Sequence, residues 1–265
     1  MTTVGRWERG DTKPPLFKQA KILEYIFDKY DYYFPFFDMN NIAIIEKQFY
    51  IKGAKNLLGK HEKLVMSFPT TNADSKNFTL NMAHESTHMD TAFSTTINIC
   101  EDMYGAEFCN NKETLKAFSL SPRTLFIVCE YKKQYFGHCF FICLKTEIYH
   151  KIITFQMDYL DLSLMDLALD GEDGSYFSVS LFAMNDKALD LMFIRFYAYL
   201  ILDQKTISHI GALVSEEDAV MAMNFGLKKG LSKDEIIAYS GTIEDVLLSE
   251  PIIKILFNPN DAHEG

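Results

Sequence analysis

The sequence predicts a mixed α/β fold, in which a sheet of parallel and antiparallel strands carries helices on both faces. Residues 176–214 follow the order strand, long helix, strand, and a crossover of this kind forces its two strands to lie parallel. Residues 124–145 contain two apolar runs around a short polar turn, which is the pattern of an antiparallel hairpin. The chain has 265 residues, of which 48% are hydrophobic, so it can bury a large core.

The crossover is the clearest local signal. Along its first strand, apolar side chains occupy every second position, which is the period of a strand. They are Phe177, Val179, Leu181 and Ala183, and they alternate with Ser178, Ser180 and Phe182. Asn185 and Asp186 then break the strand and can cap a helix, which we expect over residues 189–203 because that segment is apolar on most sides. Residues 207–214 predict the second strand, and Ser215 begins a short helix.

Three further helices are predicted around this unit. Residues 147–157 and 158–170 predict two helices between the hairpin and the crossover. A third helix is predicted to begin at Ser232, because Glu235 lies three residues later and completes a capping box.

The order of these elements resembles the second half of a Gcn5-related N-acyltransferase (GNAT) fold, and the hairpin of residues 124–145 resembles the central hairpin of that fold. We therefore expect a GNAT-like domain over residues 76–258. The resemblance implies a cleft between the two parallel strands and acyl-CoA as its ligand. The residues that it implies are Ser178 and Ser180 for the pocket, and Phe182, Ala183 and Lys187 for the cofactor.

The groups that GNAT enzymes use for phosphate binding and catalysis are not apparent. In that family a glycine-rich loop begins the helix after the fourth strand, and its backbone N–H groups bind the pyrophosphate of acyl-CoA. The matching span, residues 185–190, contains no glycine or arginine, and Asp186 and Asp190 oppose an anionic ligand. Met223 stands where the family's tyrosine acid is expected. No cofactor is therefore assigned, although acyl-CoA stays open.

Two functions follow from this pattern. The first is a transcriptional regulator whose GNAT-like domain has lost acyl transfer and works as a sensor or interaction module. The alternative is an active acyl-CoA-dependent N-acyltransferase. Its catalytic residues are not assigned, because the candidate general bases Glu130, His138 and His209 are better explained as polar residues at strand edges.

The regulator hypothesis comes from residues 4–14, Val-Gly-Arg-Trp-Glu-Arg-Gly-Asp-Thr-Lys-Pro. They resemble the end of a recognition helix and the following loop in Cro/repressor-type (XRE) helix-turn-helix domains. The resemblance implies DNA contacts by Arg6, Arg9 and Lys13. The first two helices of that module are missing, so we expect a truncated or degenerate remnant that needs the complete module to bind DNA. An ordinary turn before a helix is the other interpretation.

An aromatic cluster follows the remnant. Residues 30–37 contain six aromatic side chains, which predict a hydrophobic latch between two modules, and stacking on nucleic-acid bases is the alternative. The cluster is also compatible with a homodimer. We expect residues 1–37 to hold the remnant and the latch, and residues 38–75 to connect them to the GNAT-like domain. Residues 259–265 are expected to form a tail.

The string His84-Glu85-Ser86-Thr87-His88 matches H-E-x-x-H. On a helix, His84 and His88 would share a face and hold zinc with Glu85 as the base, as in a zinc peptidase. The Thr/Ser-rich run of residues 91–96 makes a poor zinc helix, however. Phe93, Ile97 and Cys100 recur at helical spacing, which favours a first domain helix over residues 85–103. No metal is assigned.

Composition argues against several other classes of protein. The net charge of −10 argues against the whole chain wrapping nucleic acid. The five cysteines form no C-x-x-C pair, which is typical of reduced thiols in a cytoplasmic protein. The apolar runs are short and interrupted, so no membrane span is predicted.

Overall fold

The computed structural model describes residues 77–105 and 112–249, together with Ile42, Ala43 and Glu46. The strands are β1 (Phe78–Met82), β2 (Leu125–Tyr131), β3 (Gln134–Lys145), β4 (Gly174–Ala183), β5 (Ile207–Ser215), β6 (Lys228–Lys233) and β7 (Ile236–Thr242). The α-helices are α1 (Met89–Tyr104), α2 (Lys112–Ser119), α3 (Thr146–Ile153), α4 (Asp186–Asp203), α5 (Ala219–Asn224) and α6 (Ile243–Leu247). The helix-turn-helix remnant with Arg6, Arg9 and Lys13, the aromatic cluster and the tail lie outside the described residues.

The described strands form one seven-stranded sheet in the order β1-β2-β3-β4-β5-β7-β6. β4 and β5 are parallel, and the other neighbouring pairs are antiparallel. The parallel pair is the predicted crossover, because α4 carries the chain from the end of β4 back to the start of β5. The predicted mixed α/β fold is confirmed.

The sheet has an apolar core on each face. On one face, α4 packs against β1 to β4, and most of its side chains are buried, while α5 and α6 pack against β5 and β7. On the other face, α1, α2 and α3 cover β2 to β5. A strand that is buried on both faces cannot alternate between apolar and polar residues, which explains the nearly continuous apolar runs of β2 and β3.

The predicted hairpin is confirmed as β2 and β3. Its turn consists of Lys132 and Lys133, whose φ angles of 50° and 64° are both positive. Two central residues with positive φ form the tight turn whose twist matches that of paired strands. The turn therefore sets the register in which Tyr131 pairs with Gln134.

The helix predicted from Ser232 is wrong. Ser232 lies in β6, and the chain reverses at Asp234 with a φ of 53° to form β7. β7 pairs with β5 on one side and β6 on the other. This pairing overrides the local capping pattern, because a cap contributes only about 1 kcal/mol, whereas the strand pairs on both edges and buries Ile237, Ala238 and Tyr239.

Two other predicted helices are shorter than expected. α3 ends at Ile153, where Phe155 takes a positive φ of 55° and terminates it. The acidic stretch of residues 158–170 contains only single 3-10 turns at Tyr159–Asp161 and Leu164–Asp166. Among the described residues, none of the helices combines the length and the apolar character that a membrane crossing needs.

Candidate functional site

The candidate site is the cleft that opens where β4 and β5 separate, which we term the β4–β5 cleft. The two strands pair from Gly174 opposite Ile207 as far as Ser178 opposite Ala212. Beyond this point β4 continues along β3 to Ala183, while β5 continues along β7 to Ser215. The carboxyl-terminal halves of the two parallel strands therefore follow different neighbours and leave a gap in the middle of the sheet.

A β-bulge at Val179 accompanies the separation. Phe140 pairs with Ser180 and Phe141 pairs with Ser178, so Val179 is an extra residue in β4. A bulge bends its strand and increases the local twist. The bend occurs next to the last pair that β4 makes with β5, which directs the rest of β4 away from its parallel neighbour.

The alternation predicted along this strand is wrong beyond Val179, because the bulge adds one residue to β4. The period-2 pattern placed Val179 and Leu181 on one face and Ser178 and Ser180 on the other. In the structure Val179 packs into the core under α1 and α3, whereas Leu181 packs into the core under α4. The extra residue reverses the phase, and the Ser180 side chain therefore faces α1.

The cleft contains a cavity of about 100 Å³ with mainly apolar walls. Ser178, Val179 and Ser180 contribute from β4. The α4 side contributes Phe193 of α4, Met221 of α5 and Phe225, which follows α5. Asp218 is the one titratable side chain among the described residues that line it. Such walls favour an apolar group over a charged one.

Ser180 belongs to a buried hydrogen-bonded cluster. Its Oγ lies 2.9 Å from Nε2 of His138, and Thr96 Oγ1 lies 2.9 Å from both atoms. On the other side of the ring, Nδ1 of His138 lies 2.6 Å from the hydroxyl of Tyr135. α1 supplies Thr96, β3 supplies Tyr135 and His138, and β4 supplies Ser180. We term these four residues the histidine cluster.

Burial controls the ionisation of the cluster and of the nearby thiols. His138 is fully buried, and this burial lowers its pKa to about 3, so the ring is neutral near pH 7. Burial likewise raises the pKa of Tyr135 above its usual value. Cys139 and Cys143 have pKa values raised to about 12 by burial, so neither thiol supplies a thiolate nucleophile.

His138 is the one predicted candidate base that contacts a residue of the cleft. The Glu130 carboxylate instead accepts a 2.6 Å hydrogen bond from Ser86. His209 pairs with Ser175 and Thr242 near the start of β5, at the opposite end from the cleft. Thr96 and Tyr135 were not predicted, because nothing in the local pattern shows that α1 places Thr96 against β3 and β4.

The residues predicted for cofactor binding lie at the end of β4 and the start of α4. The Phe182 ring stacks on Tyr135 with an interplanar angle of 5°, and Ala183 is fully buried against Gly137. At the start of α4, the Asn185 side chain accepts a 2.8 Å hydrogen bond from the backbone of Ala188. The helix therefore caps itself with a side chain at the place where a GNAT enzyme binds phosphate.

A second hollow of about 710 Å³ adjoins the cleft on the α1 side. Met103 and Leu213 line both, so the two spaces share a wall. Acidic side chains outnumber basic ones in the second hollow, and the stacked rings of Tyr104 and Tyr159 form part of its surface. Its charged residues are Asp158, Lys233, Asp234 and Glu235. We term it the acidic hollow.

The H-E-x-x-H string does not form a helical metal face. His84 and Glu85 lie in a 3-10 turn, whereas His88 precedes α1, which begins at Met89 rather than at Glu85. Nε2 of His88 lies 2.9 Å from the Lys133 carbonyl oxygen. In the part of the chain that the structure describes, no three histidine, cysteine or acidic side chains are grouped to hold a metal ion.

Comparison with known proteins gives fold-level similarity. No family model matches the chain, and no curated protein matches it. Among solved structures it is similar to FeeM, an N-acyl amino acid synthase from uncultured soil microbes, with a TM-score of 0.44 and 10% identity over 66% of this chain and 95% of that chain. It is also similar to a GNAT-family acetyltransferase from Listeria monocytogenes, with a TM-score of 0.39 and 11% identity over 62% of this chain and 94% of that chain. Among the described strands, one parallel pair lies within an otherwise antiparallel sheet, which is the mixed α/β arrangement predicted from the sequence.

Proposed function

We propose that the protein binds the acyl group of a thioester in the β4–β5 cleft and transfers it to an amine. The observation that carries this proposal is the apolar cavity at the point where two parallel strands separate. Each methylene that moves from water into such a cavity gains about 0.8 kcal/mol. A cavity of about 150 Å³ holds a benzene-sized molecule, so the smaller one here suits a short acyl chain.

The edge of β4 favours binding of the thioester carbonyl. Beyond Ser178 this edge has no strand beside it in the described sheet. An open strand edge offers backbone N–H groups, and donors of this kind stabilise the oxyanion that forms during acyl transfer. The carbonyl carbon then lies at the mouth of the cavity, with the alkyl chain inside it.

The nucleotide part of acyl-CoA is expected to contribute little to the affinity of this protein for the donor. The start of α4 contains Asp186 and lacks the glycines that let a phosphate approach the backbone. We therefore propose that the acyl group and the neighbouring atoms of the thioester provide most of the donor's affinity. The same acyl group on CoA and on N-acetylcysteamine, which lacks the nucleotide, is expected to bind with similar affinity.

The acidic hollow suits the acceptor. Asp158, Asp234 and Glu235 attract a protonated amine, and the shared wall at Met103 and Leu213 lies between this hollow and the acyl cavity. The amine must lose a proton before it attacks the carbonyl carbon. Transfer then breaks the carbon–sulfur bond and releases a thiol.

A cavity-filling substitution tests the proposal. Ala222→Phe places a ring in the cleft and is expected to weaken butyryl-thioester binding about tenfold or more, measured by calorimetry. Val220→Phe is the matched control, because Val220 lies on the same helix with 55% of its surface exposed. Circular dichroism establishes that both variants fold. Equal binding by Ala222→Phe and wild type would contradict the proposed site.

A sensor that binds the thioester without turnover is the second candidate. It is favoured by the acidic start of α4, which lacks the glycines expected for phosphate binding. Thiol release in the presence of a panel of primary amines separates the two functions. Binding with no amine-dependent release favours the sensor, and with it the hypothesis of a regulator attached to a DNA-binding module.

A further inference from the structure

The histidine cluster has the arrangement of an activated nucleophile. Such an arrangement needs a hydroxyl within hydrogen-bond reach of a base, and a third group that orients the base. Ser180 lies 2.9 Å from Nε2 of His138, and the Tyr135 hydroxyl lies 2.6 Å from Nδ1. Ser180 is also a wall residue of the β4–β5 cleft. Ser180 therefore borders the space that we propose for the acyl group.

The tautomer of His138 with its proton on Nδ1 gives every polar atom of the cluster a partner. With the proton on Nδ1, that N–H donates to the Tyr135 hydroxyl oxygen, and Nε2 accepts from Ser180. Thr96 then donates to the Ser180 oxygen, 2.9 Å away. In this tautomer the Ser180 proton points at a lone pair, which is the arrangement needed to remove it.

Packing holds the ring in this orientation. The edge of His138 meets the Phe126 ring at a centroid distance of 5.7 Å, and the Phe182 ring lies 6.3 Å away on another side. Burial keeps the imidazole neutral near pH 7, so Nε2 carries a lone pair, and the lowered pKa also makes the ring a weaker base than a free imidazole. Thr96, His138 and Ser180 are buried, and the hydrogen bonds among them offset the cost of removing these polar groups from water.

We infer that Ser180 is the nucleophile of a two-step acyl transfer, with His138 as its proton acceptor and Tyr135 as the residue that positions the ring. This inference rests on the proposed function. It replaces direct attack by the amine with a covalent acyl-serine ester.

The two steps balance in atoms and protons. In the first, Oγ of Ser180 attacks the thioester carbonyl carbon while Nε2 of His138 takes the hydroxyl proton. The carbon–sulfur bond breaks, and the sulfur receives that proton and leaves as a thiol. In the second, the amine attacks the ester carbon, Nε2 takes a proton from the nitrogen, and the carbon–oxygen bond breaks. The proton returns to Ser180 and the product is an amide.

Intact-protein mass spectrometry tests the first step. Wild type mixed with butyryl-N-acetylcysteamine, without an amine, is expected to gain the mass of one butyryl group, and peptide mapping is expected to place it on Ser180. Ser180→Ala is expected to lose the adduct and still bind the thioester in calorimetry. Ser175→Ala is the matched control, because Ser175 is a buried serine of the same strand outside the cleft.

Variants of the ring and its partner test the assigned roles. His138→Gln is expected to slow formation of the adduct about 100-fold or more, which is the usual contribution of a general base. Tyr135→Phe is expected to lower the acylation rate with little change in thioester affinity, a split that a purely structural role would not produce. Ser180→Cys keeps a nucleophile and is expected to be acylated, which separates loss of chemistry from loss of folding.

The outcomes separate the inference from the proposed function. Binding of the thioester by wild type without any adduct overturns the inference and leaves the acyl site intact. Acylation of Ser180→Ala at the wild-type rate also overturns it. Absence of thioester binding by wild type overturns the proposed function, and the inference with it.

Discussion

At the scale of single residues, His138 shows how burial and hydrogen bonding set the state of a side chain. The imidazole has polar partners at both nitrogens and no exposed surface. Protonation would place a charge inside an apolar core, which is why burial lowers the pKa to about 3. The same burial that keeps the ring neutral therefore weakens it as a base and makes the fold sensitive to acid.

Because His138 is neutral and buried, we expect the folded protein to lose stability in mild acid. Its pKa is lower in the folded state than the value of 6.5 in the unfolded chain, so the unfolded chain binds the extra proton. The free energy of unfolding is therefore highest above about pH 6.5 and falls as the pH decreases toward about 3. Between about pH 7 and about pH 5 this one residue is expected to cost about 2 kcal/mol.

Urea unfolding of wild type and His138→Gln at the two pH values measures this effect. The pKa of His209 is also lowered by burial, but His209 is present in both proteins and cancels in the difference. His138→Gln is expected to lose less stability in acid than wild type. Identical acid sensitivity of the two proteins would show that His138 is not neutral and buried in solution.

At the scale of elements, the cleft depends on the departure of β4 from β5 at Val179 and on the tight packing of β5 on its far side. Gly211 of β5 lies against Tyr149 of α3 and against the backbone of β7. A side chain at this position would displace one of these neighbours. The glycine therefore lets α3 and β7 hold β5 in place while β4 moves away from it.

Gly211→Ala is expected to destabilise the fold by about 1–3 kcal/mol, the usual cost of overpacking a core. The added Cβ would meet the Tyr149 hydroxyl and would lie 2.8 Å from the Tyr239 carbonyl oxygen. Gly230→Ala is the matched control, because Gly230 lies on the exposed strand β6 and its nearest neighbour would be 3.3 Å away. Thermal melting compares the two, and equal melting temperatures would refute the packing argument.

At the scale of the whole molecule, the segment expected to connect the two modules contacts the GNAT-like domain. Glu46 forms an ion pair with Arg195 of α4. Nε of Arg195 donates to Oε1 of Glu46, and Nη2 of Arg195 lies 3.3 Å from Oε2 of Glu46. Ile42 packs against the core on the same face. The folding unit therefore includes at least part of residues 38–75.

Removal of residues 1–75 is expected to lower the stability of the domain, because Arg195 loses its partner and apolar surface on α4 is exposed. Glu46→Gln tests the ion pair alone and is expected to cost about 1–3 kcal/mol, since both side chains are largely shielded from water. Chemical unfolding measures both changes. An unchanged midpoint for the shortened chain would place the boundary of the folding unit at residue 76.

The elements that local patterns predicted correctly are those whose partners are close in the sequence. The β2–β3 hairpin closes through the two-residue turn at Lys132, and the crossover follows from a strand period and a helix period in succession. In both cases the energy that selects the structure comes from neighbouring residues. The fold class and the strands that border the cleft were therefore accessible from the chain.

The chemistry of the site depends on contacts that no local pattern encodes. Thr96 lies 42 residues from His138 and 84 residues from Ser180, yet the three side chains meet at 2.9 Å because α1 packs across β3 and β4. The bulge at Val179 brings Ser180 to that face, and β7 forms only because β5 and β6 flank it. Local sequence patterns thus predicted the β2–β3 hairpin and the β4–α4–β5 crossover, while pairing and packing between distant elements formed β7 and assembled the candidate site.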